Sequence, residues 1–286
     1  FTFNPQHPIS RDMRDRVGEV FQELYLEGKA DAMESTAAIA LFYDFRELTP
    51  IGTKGDRMIR LLTERLVSIG LFDQAAELLE HQVKYRLKGT ARAQVAMRLA
   101  LIQLKNRRPE EAFKAIAATR FSGLPPKLNG QRRLIEARAL SDMGRFNHAV
   151  ELLEDDVSPE ADLLRANIYW DADNWPETGR VYEGILESQW GTDEALPNDA
   201  RASVMRMAIA YALVDDKPAL ERIRRKFGVQ MTASPDAQAF NIATGDLALR
   251  GVAFRDVLRE VNSIDTFESF MTDFKNRFGD DGSLLN

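Results

Sequence analysis

The chain has 286 residues, of which 44% are hydrophobic, and a formal net charge of −6 at pH 7. The net negative charge argues against a general nucleic-acid-binding protein, which normally presents a basic surface. The sequence contains no cysteine, which excludes disulfides and thiolate metal sites, and no run approaches the roughly 20 apolar residues of a membrane-spanning helix. Because the sequence starts at Phe1, we expect a processed or trimmed fragment, which leaves any preceding targeting segment unknown.

The first 55 residues are predicted to form an N-terminal helical hairpin. Ser10 is a candidate N-cap and Gly28 a candidate stop for the first helix. The second helix is predicted from Asp31 to Leu48, and a loop from Thr49 to Gly55 ends it. The apolar residues of the first helix fall on one helical stripe: Met13, Val17, Val20, Phe21, Leu24 and Tyr25.

A repeated phrase then marks helical hairpins over residues 56–230. Residues 68–79 read SIGLFDQAAELL, and residues 142–153 read DMGRFNHAVELL. Each phrase predicts a helix that ends at Gly, a tight turn, and a second helix in which Ala permits close approach. Three further turns are predicted at Arg107–Pro109, Asp173–Pro176 and Asp215–Pro218. Small residues mark the first helices at steps of 37, 37, 29 and 42 residues: Thr63, Ala100, Ala137, Ala166 and Ala208.

Residues 231–286 are predicted to be C-terminal capping helices. One helix is expected from Pro235 to Leu249 and another from Phe254 to Val261. Asp265 and Glu268 predict a capping box for a last helix, and residues 280–282 predict a frayed tail. The last helix either covers the end of the array or binds a partner, and its apolar residues are Ile264, Phe267, Phe270, Met271, Phe274 and Phe278.

These motifs resemble the tetratricopeptide repeat. The pairs Ala166/Tyr169 and Ala208/Tyr211 are similar to the first-helix signature of that family, and the Gly-x-Phe-x-x-Ala turns at Gly70 and Gly144 are similar to its turn signature. The resemblance implies an all-α, superhelical (solenoid) array of helical hairpins with a C-terminal capping helix. It also implies a concave groove lined by the first helix of each hairpin.

A second resemblance concerns residues 40–66, ALFYDFRELTPIGTKGDRMIRLLTERL. This run resembles the C-terminal region of long uncharacterised repeat proteins of alphaproteobacteria. It implies a bacterial protein and favours the periplasm over the cytoplasm, whereas the lack of cysteine fits both compartments.

First-helix positions that are not needed for the core are expected to face the groove. Arg, amide, Met and Trp side chains are frequent at binding surfaces. Met97, Trp170, Met205 and Ile209 fit a buried core equally well. The full set of predicted groove residues is Arg57, Arg60, Glu64, Gln94, Met97, Leu101, Gln131, Arg138, Asn167, Trp170, Met205 and Ile209.

The sequence offers no pattern typical of a catalytic or metal site. His7, His81 and His148 are not at metal-ligand spacing, and neither a nucleophile motif nor a phosphate-binding loop is present. We therefore expect no enzyme activity, no metal and no cofactor. Basic residues at 105–108 and 222–226 lack interleaved aromatic residues and are expected to be a solvated surface, with an anionic partner as the alternative.

The predicted function is a non-catalytic protein-protein interaction scaffold that binds a partner segment in the groove. Arg60 and Arg138 are expected to hold acidic residues or a free C-terminal carboxylate of the partner, with Trp170 as an apolar anchor. The alternatives are a structural or assembly module of a larger envelope-associated protein, working by self-association, and a helical accessory region of a cell-wall enzyme. Nucleic-acid binding and direct membrane insertion are not expected.

Overall fold

A computed structural model describes residues 8–187, 195–245, 251–262 and 266–278. Its regular secondary structure over these ranges is helical throughout, so the protein is all-α. The chain forms two compact units, the first ending at Asn129 and the second beginning at Gly130. This boundary falls among the hairpins, whereas the sequence-based division into residues 1–55, 56–230 and 231–286 follows repeat content and stays a prediction.

Unit 1 contains six helices within the part of it that the structure describes. Shorter segments lie between some of them: 3₁₀ turns at Lys29–Ala32 and Arg46–Leu48 and a π-helical segment at Gln82–Arg86. The helices are α1 (Pro8–Leu26), α2 (Ser35–Asp44), α3 (Thr53–Ser68), α4 (Phe72–His81), α5 (Gly89–Lys105) and α6 (Pro109–Ala117).

Three sequence predictions for unit 1 are corrected. Helix α1 begins at Pro8, whose missing N–H is tolerated in a first turn, so Ser10 lies inside the helix rather than at its N-cap. The predicted helix from Asp31 to Leu48 contains only a 10-residue α-helix, α2, which Glu34 caps. Gly55 belongs to α3 instead of the loop, and a Cβ there would lie 1.8 Å from the carbonyl oxygen of Pro50.

Unit 2 begins within the seventh helix and holds the remaining three hairpins and the C-terminal helices. The bounds are α7 (Pro126–Asp142), α8 (Phe146–Leu152), α9 (Pro159–Asp171), α10 (Trp175–Ile185), α11 (Asn198–Leu213), α12 (Lys217–Thr232), α13 (Ala237–Thr244), α14 (Gly251–Asn262) and α15 (Thr266–Phe278). The first helices of the three hairpins are α7, α9 and α11, and the second helices are α8, α10 and α12.

The five predicted turns share one backbone conformation. At each turn a residue with positive φ follows the first helix, and the second helix begins two residues later: Gly70, Arg107, Gly144, Asp173 and Asp215. The next N–H donates to the carbonyl five residues earlier, as from Leu71 to Leu66 at 2.9 Å and from Arg145 to Leu140 at 2.8 Å. Left-handed closure is a common way for a helix to end. The helix–turn–helix register predicted from the sequence is therefore confirmed.

The small first-helix residues lie where the register requires them. Thr63 is 1% exposed, and the four alanines at equivalent positions are fully buried. In unit 2 a close approach also depends on a glycine, because a Cβ on Gly179 of α10 would lie 2.5 Å from the Tyr211 ring of α11. Small residues thus allow neighbouring helices to pack at short distance.

The C-terminal region differs from its prediction at the ends of the helices. Helix α13 begins at Ala237 rather than Pro235, and α14 begins at Gly251, earlier than the predicted Phe254. The predicted cap at Asp265, the side chain of Phe278, Ile264, Leu249 and the tail at 280–282 lie outside the described residues. Val257 and Val261 of α14 are buried in the hydrophobic core that α9 to α13 form.

Candidate partner-binding face

The first helices of unit 2 carry a set of polar and aromatic side chains that meet the C-terminal helices. We call this set the first-helix face of unit 2 and define it by Arg138 of α7, Asn167 and Trp170 of α9, and Arg206 of α11. All four side chains are buried. A buried polar group is stable only when it is hydrogen-bonded, so the partners of these groups determine what the face does.

Arg138 fixes the first residue of α15. Its Nη1 donates to the carbonyl oxygen of Thr266 at 3.0 Å, and its Nη2 donates to the Thr266 hydroxyl at 3.2 Å. Its Nε donates to Asp142 at 2.9 Å, so the positive charge is paired within α7. The guanidinium also lies 5.7 Å from the ring centre of Phe267 and 5.9 Å from that of Phe270. One arginine therefore clamps the start of a helix and stacks on its aromatic side.

Trp170 plays the corresponding role at the end of α14. The indole Nε1 donates to the Asn262 side chain at 3.1 Å. Its ring contacts Trp175 edge-on at 5.3 Å, and the guanidinium of Arg206 lies 5.4 Å from its centre. The expected apolar anchor is thus 93% buried, and it already holds a helix end of this chain.

A hydrogen-bonded network adjoins Trp170 through Arg206. Arg206 donates to the side-chain oxygen of Asn167 and, at 3.3 Å, to the hydroxyl of Tyr182. The Tyr182 hydroxyl in turn donates to Asn167 at 3.3 Å. Burial raises the pKa of Tyr182, so the phenol stays protonated and remains a donor. The network joins α9, α10 and α11 and holds the face in one geometry.

Helix α15 covers the middle of the face with its apolar side. Phe270, Met271 and Phe274 are all buried. A pocket remains between α7, α9 and α15, lined by Leu134, Glu160, Leu164, Asn167, Phe270, Asp273 and Phe274. Burial, and then the negative charges of Glu160 and Asp199, raise the pKa of the Asp273 carboxyl. The contact therefore combines good apolar packing with repulsion between carboxylates.

The predicted groove residues of unit 1 are placed differently. Arg57 and Gln94 are exposed. Arg60 donates to Glu64 at 3.2 Å within α3, and both side chains are partly accessible. Met97 and Leu101 of α5 are buried. For Met97 the core alternative holds, and the expectation that Leu101 faces the groove is corrected. The polar residues of this set are therefore exposed or partly accessible.

In unit 2 the core alternative also holds for Met205 and Ile209, and Gln131 is buried as well. Arg138 bonds to α15, Trp170 bonds to α14, and Asn167 lines the pocket beside α15, so C-terminal helices cover these three residues. The expectation that Arg138 awaits a partner carboxylate is corrected, because Asp142 already supplies one. Buried residues of this set cannot bind a partner while α15 is in place.

Sequence reasoning missed Arg206, Tyr182, Asn262 and Thr266. Arg206 carried a usable signal, since it is a charged residue inside the apolar run VMRMAIAYAL of α11. An arginine at such a position indicates a buried polar partner. Asn262 and Thr266 carried none, because short polar residues at helix ends are common for local reasons.

The remaining candidate groups have ordinary structural partners. Arg222 and Lys226 both bind Glu183, at 3.1 and 3.4 Å, as expected for a surface balanced by acids. His81 and His148 are exposed, and His7 lies outside the described residues. No group of His, Cys, Asp and Glu in the described part of the chain has a geometry that could hold a metal ion.

Comparison with known proteins gives no family assignment: no protein-family model matches the sequence, and no curated protein is significantly similar to it. Of the helices in the described ranges, none is long and apolar enough to span a bilayer.

Proposed function

We propose that the protein is a non-catalytic interaction scaffold that binds a helical segment of a partner protein on the first-helix face of unit 2. In this proposal the hairpins within each unit are of the tetratricopeptide-like type. The shared left-handed turn and the buried small residues of the first helices support that classification.

One observation carries the proposal: the same face already binds a helix. Arg138 bonds to the backbone and hydroxyl of a helix start, and the buried residues Phe270 and Phe274 of that helix line a pocket with Leu134 and Leu164. Binding of an amphipathic helix along an apolar surface is a common mode of peptide recognition. The chemistry needed to hold a partner helix is therefore present in unit 2.

The test is to purify partners on the immobilised full chain and to map their contacts by cross-linking. In a chain that also carries Phe274→Ala, which loosens α15, Arg138→Ala should weaken a partner's binding about tenfold or more, which corresponds to about 1.4 kcal/mol. Arg180→Ala is the matched control, because Arg180 is a 70% exposed arginine of α10 that pairs with Glu177. Equal affinities of the two variants, with cross-links confined to second helices, would show that the partner uses another surface.

A further inference from the structure

Helix α15 has the properties of a resident ligand of the first-helix face. It enters the face from a position far along the chain, since Arg138 and Thr266 are 128 residues apart. Its start is held by an arginine fork, and its apolar side lines a pocket together with residues of α7 and α9. Each of these contacts could be made equally well by a helix of another protein.

One residue of α15 does not fit the place that it occupies. Asp273 lines the same pocket as Glu160 of α9, and Asp199 of α11 adds a further negative charge. Among the described residues, no ion pair or hydrogen bond compensates Asp273. The arginine of the face that contacts α15, Arg138, already pairs with Asp142. Like charges in a partly buried site oppose binding, so this position weakens the docking of α15.

We propose that α15 is a displaceable occupant, and that the partner which replaces it is an amphipathic helix with a basic residue in the place of Asp273. This inference rests on the proposed function and specifies the partner. A Lys or Arg at that position would meet Glu160 and Asp199 as opposite charges, which removes the repulsion and adds attraction.

The rest of the partner's chemistry follows from the contacts of α15. A Ser or Thr at the start of the partner helix would accept a hydrogen bond from Arg138, as the Thr266 hydroxyl does. An aromatic residue next to it would stack on the same guanidinium, as Phe267 does. Aromatic residues at the spacing of Phe270 and Phe274 would line the same pocket.

Synthetic peptides test the charge preference directly. The probes are the 266–278 sequence, the same peptide with Asp273→Lys, and a matched control with Glu268→Lys, which makes the same charge change at an exposed position. They are titrated into the full chain and into full-length Phe274→Ala, in which α15 is loosened. The Asp273→Lys peptide should bind about tenfold more tightly than the control, and all peptides should bind the Phe274→Ala chain more tightly than the parent.

Displacement has its own readout. Amide exchange of residues 266–278 in the full chain should accelerate as the Asp273→Lys peptide saturates it. Unchanged exchange at saturation would overturn displacement. Equal affinities of the Asp273→Lys and Glu268→Lys peptides would overturn the charge preference but leave the helix-binding face intact. Failure of every peptide to bind the Phe274→Ala chain would overturn the proposed function as well.

A second variant covers the case in which Phe274→Ala fails to fold. In the full chain, Asp273→Lys should slow amide exchange of residues 266–278 by about tenfold, because α15 itself then carries the favoured charge. Glu268→Lys in the full chain should not slow this exchange, because a Lys in the first turn of α15 opposes the helix dipole. An equal effect of the two substitutions would contradict the inference without any peptide.

Discussion

The first helices of the two units carry similar side chains in different circumstances. In unit 1, Arg60 bonds only to Glu64 in the contacts described and stays partly accessible. In unit 2, Arg138 forms the same kind of bond to a carboxylate four residues along its helix, but it also clamps Thr266 and is buried. The difference comes from α15, which has docked on one face. The position of a residue within its hairpin therefore sets the direction of its side chain. Whether that side chain is accessible depends on a distant segment, here α15.

The largest expected effect is the loss of α15 from unit 2. Phe274 is 2% exposed, and Phe→Ala in a core typically destabilises by about 3–5 kcal/mol. Phe274→Ala should therefore accelerate amide exchange strongly in residues 266–278 and leave α3 to α6 protected. Lys275→Ala, at an exposed position of the same helix, is the control. Uniform acceleration in both units would show that α15 is part of a single core rather than a separate occupant.

Arg60 of unit 1 and Arg138 of unit 2 provide a second test of the comparison between the units. Arg138→Ala removes the hydrogen bonds to Thr266 and to Asp142, so we expect a loss of about 2 kcal/mol in the free energy of unfolding. Arg60→Ala breaks a partly exposed i,i+4 pair and should lose about 0.5 kcal/mol or less. Urea unfolding of both variants measures the contrast. Similar losses would mean that the contacts of Arg138 with α15 contribute nothing to the free energy of unfolding.

The turns should behave alike in the two units. Gly70 and Gly144 have φ values of 79° and 73°, a region that β-branched residues strongly disfavour. Gly70→Val and Gly144→Val should each lose about 1–2 kcal/mol. Conversely, Arg107→Gly relieves a non-glycine residue at φ 57° and should gain a few tenths of a kcal/mol or more. Unequal losses at the two glycines in chemical denaturation would contradict their equivalence.

Features that depend on local interactions could be predicted from the sequence, whereas features that depend on residues far apart in the chain could not. The turns at Gly70 and Gly144 were predictable because a glycine between two amphipathic stretches is a local signal. The burial of Trp170 was not, because its hydrogen-bond partner, Asn262, lies 92 residues away and nothing in either segment identifies the other. Periodicity showed that α15 has an apolar side but could not show which surface that side covers.

The smallest expected effect is a dependence of α15 docking on pH, and it arises at Asp273. Docking raises the pKa of this carboxyl through burial and the charges of Glu160 and Asp199. The docked helix therefore holds the proton more tightly than the free helix does. The resulting stabilisation is fully present below the pKa of the free helix and is lost as the pH rises through the docked-state pKa. Amide exchange of residues 266–278, corrected for the intrinsic pH dependence of exchange, should thus indicate weaker docking at neutral pH than in mild acid.

Asp273→Asn should remove most of this dependence and dock more tightly at neutral pH, because a neutral amide does not repel Glu160. A pH dependence that persists in Asp273→Asn would show that other carboxyls cause the effect. The difference between the two units would then depend on packing and not on the charge of Asp273.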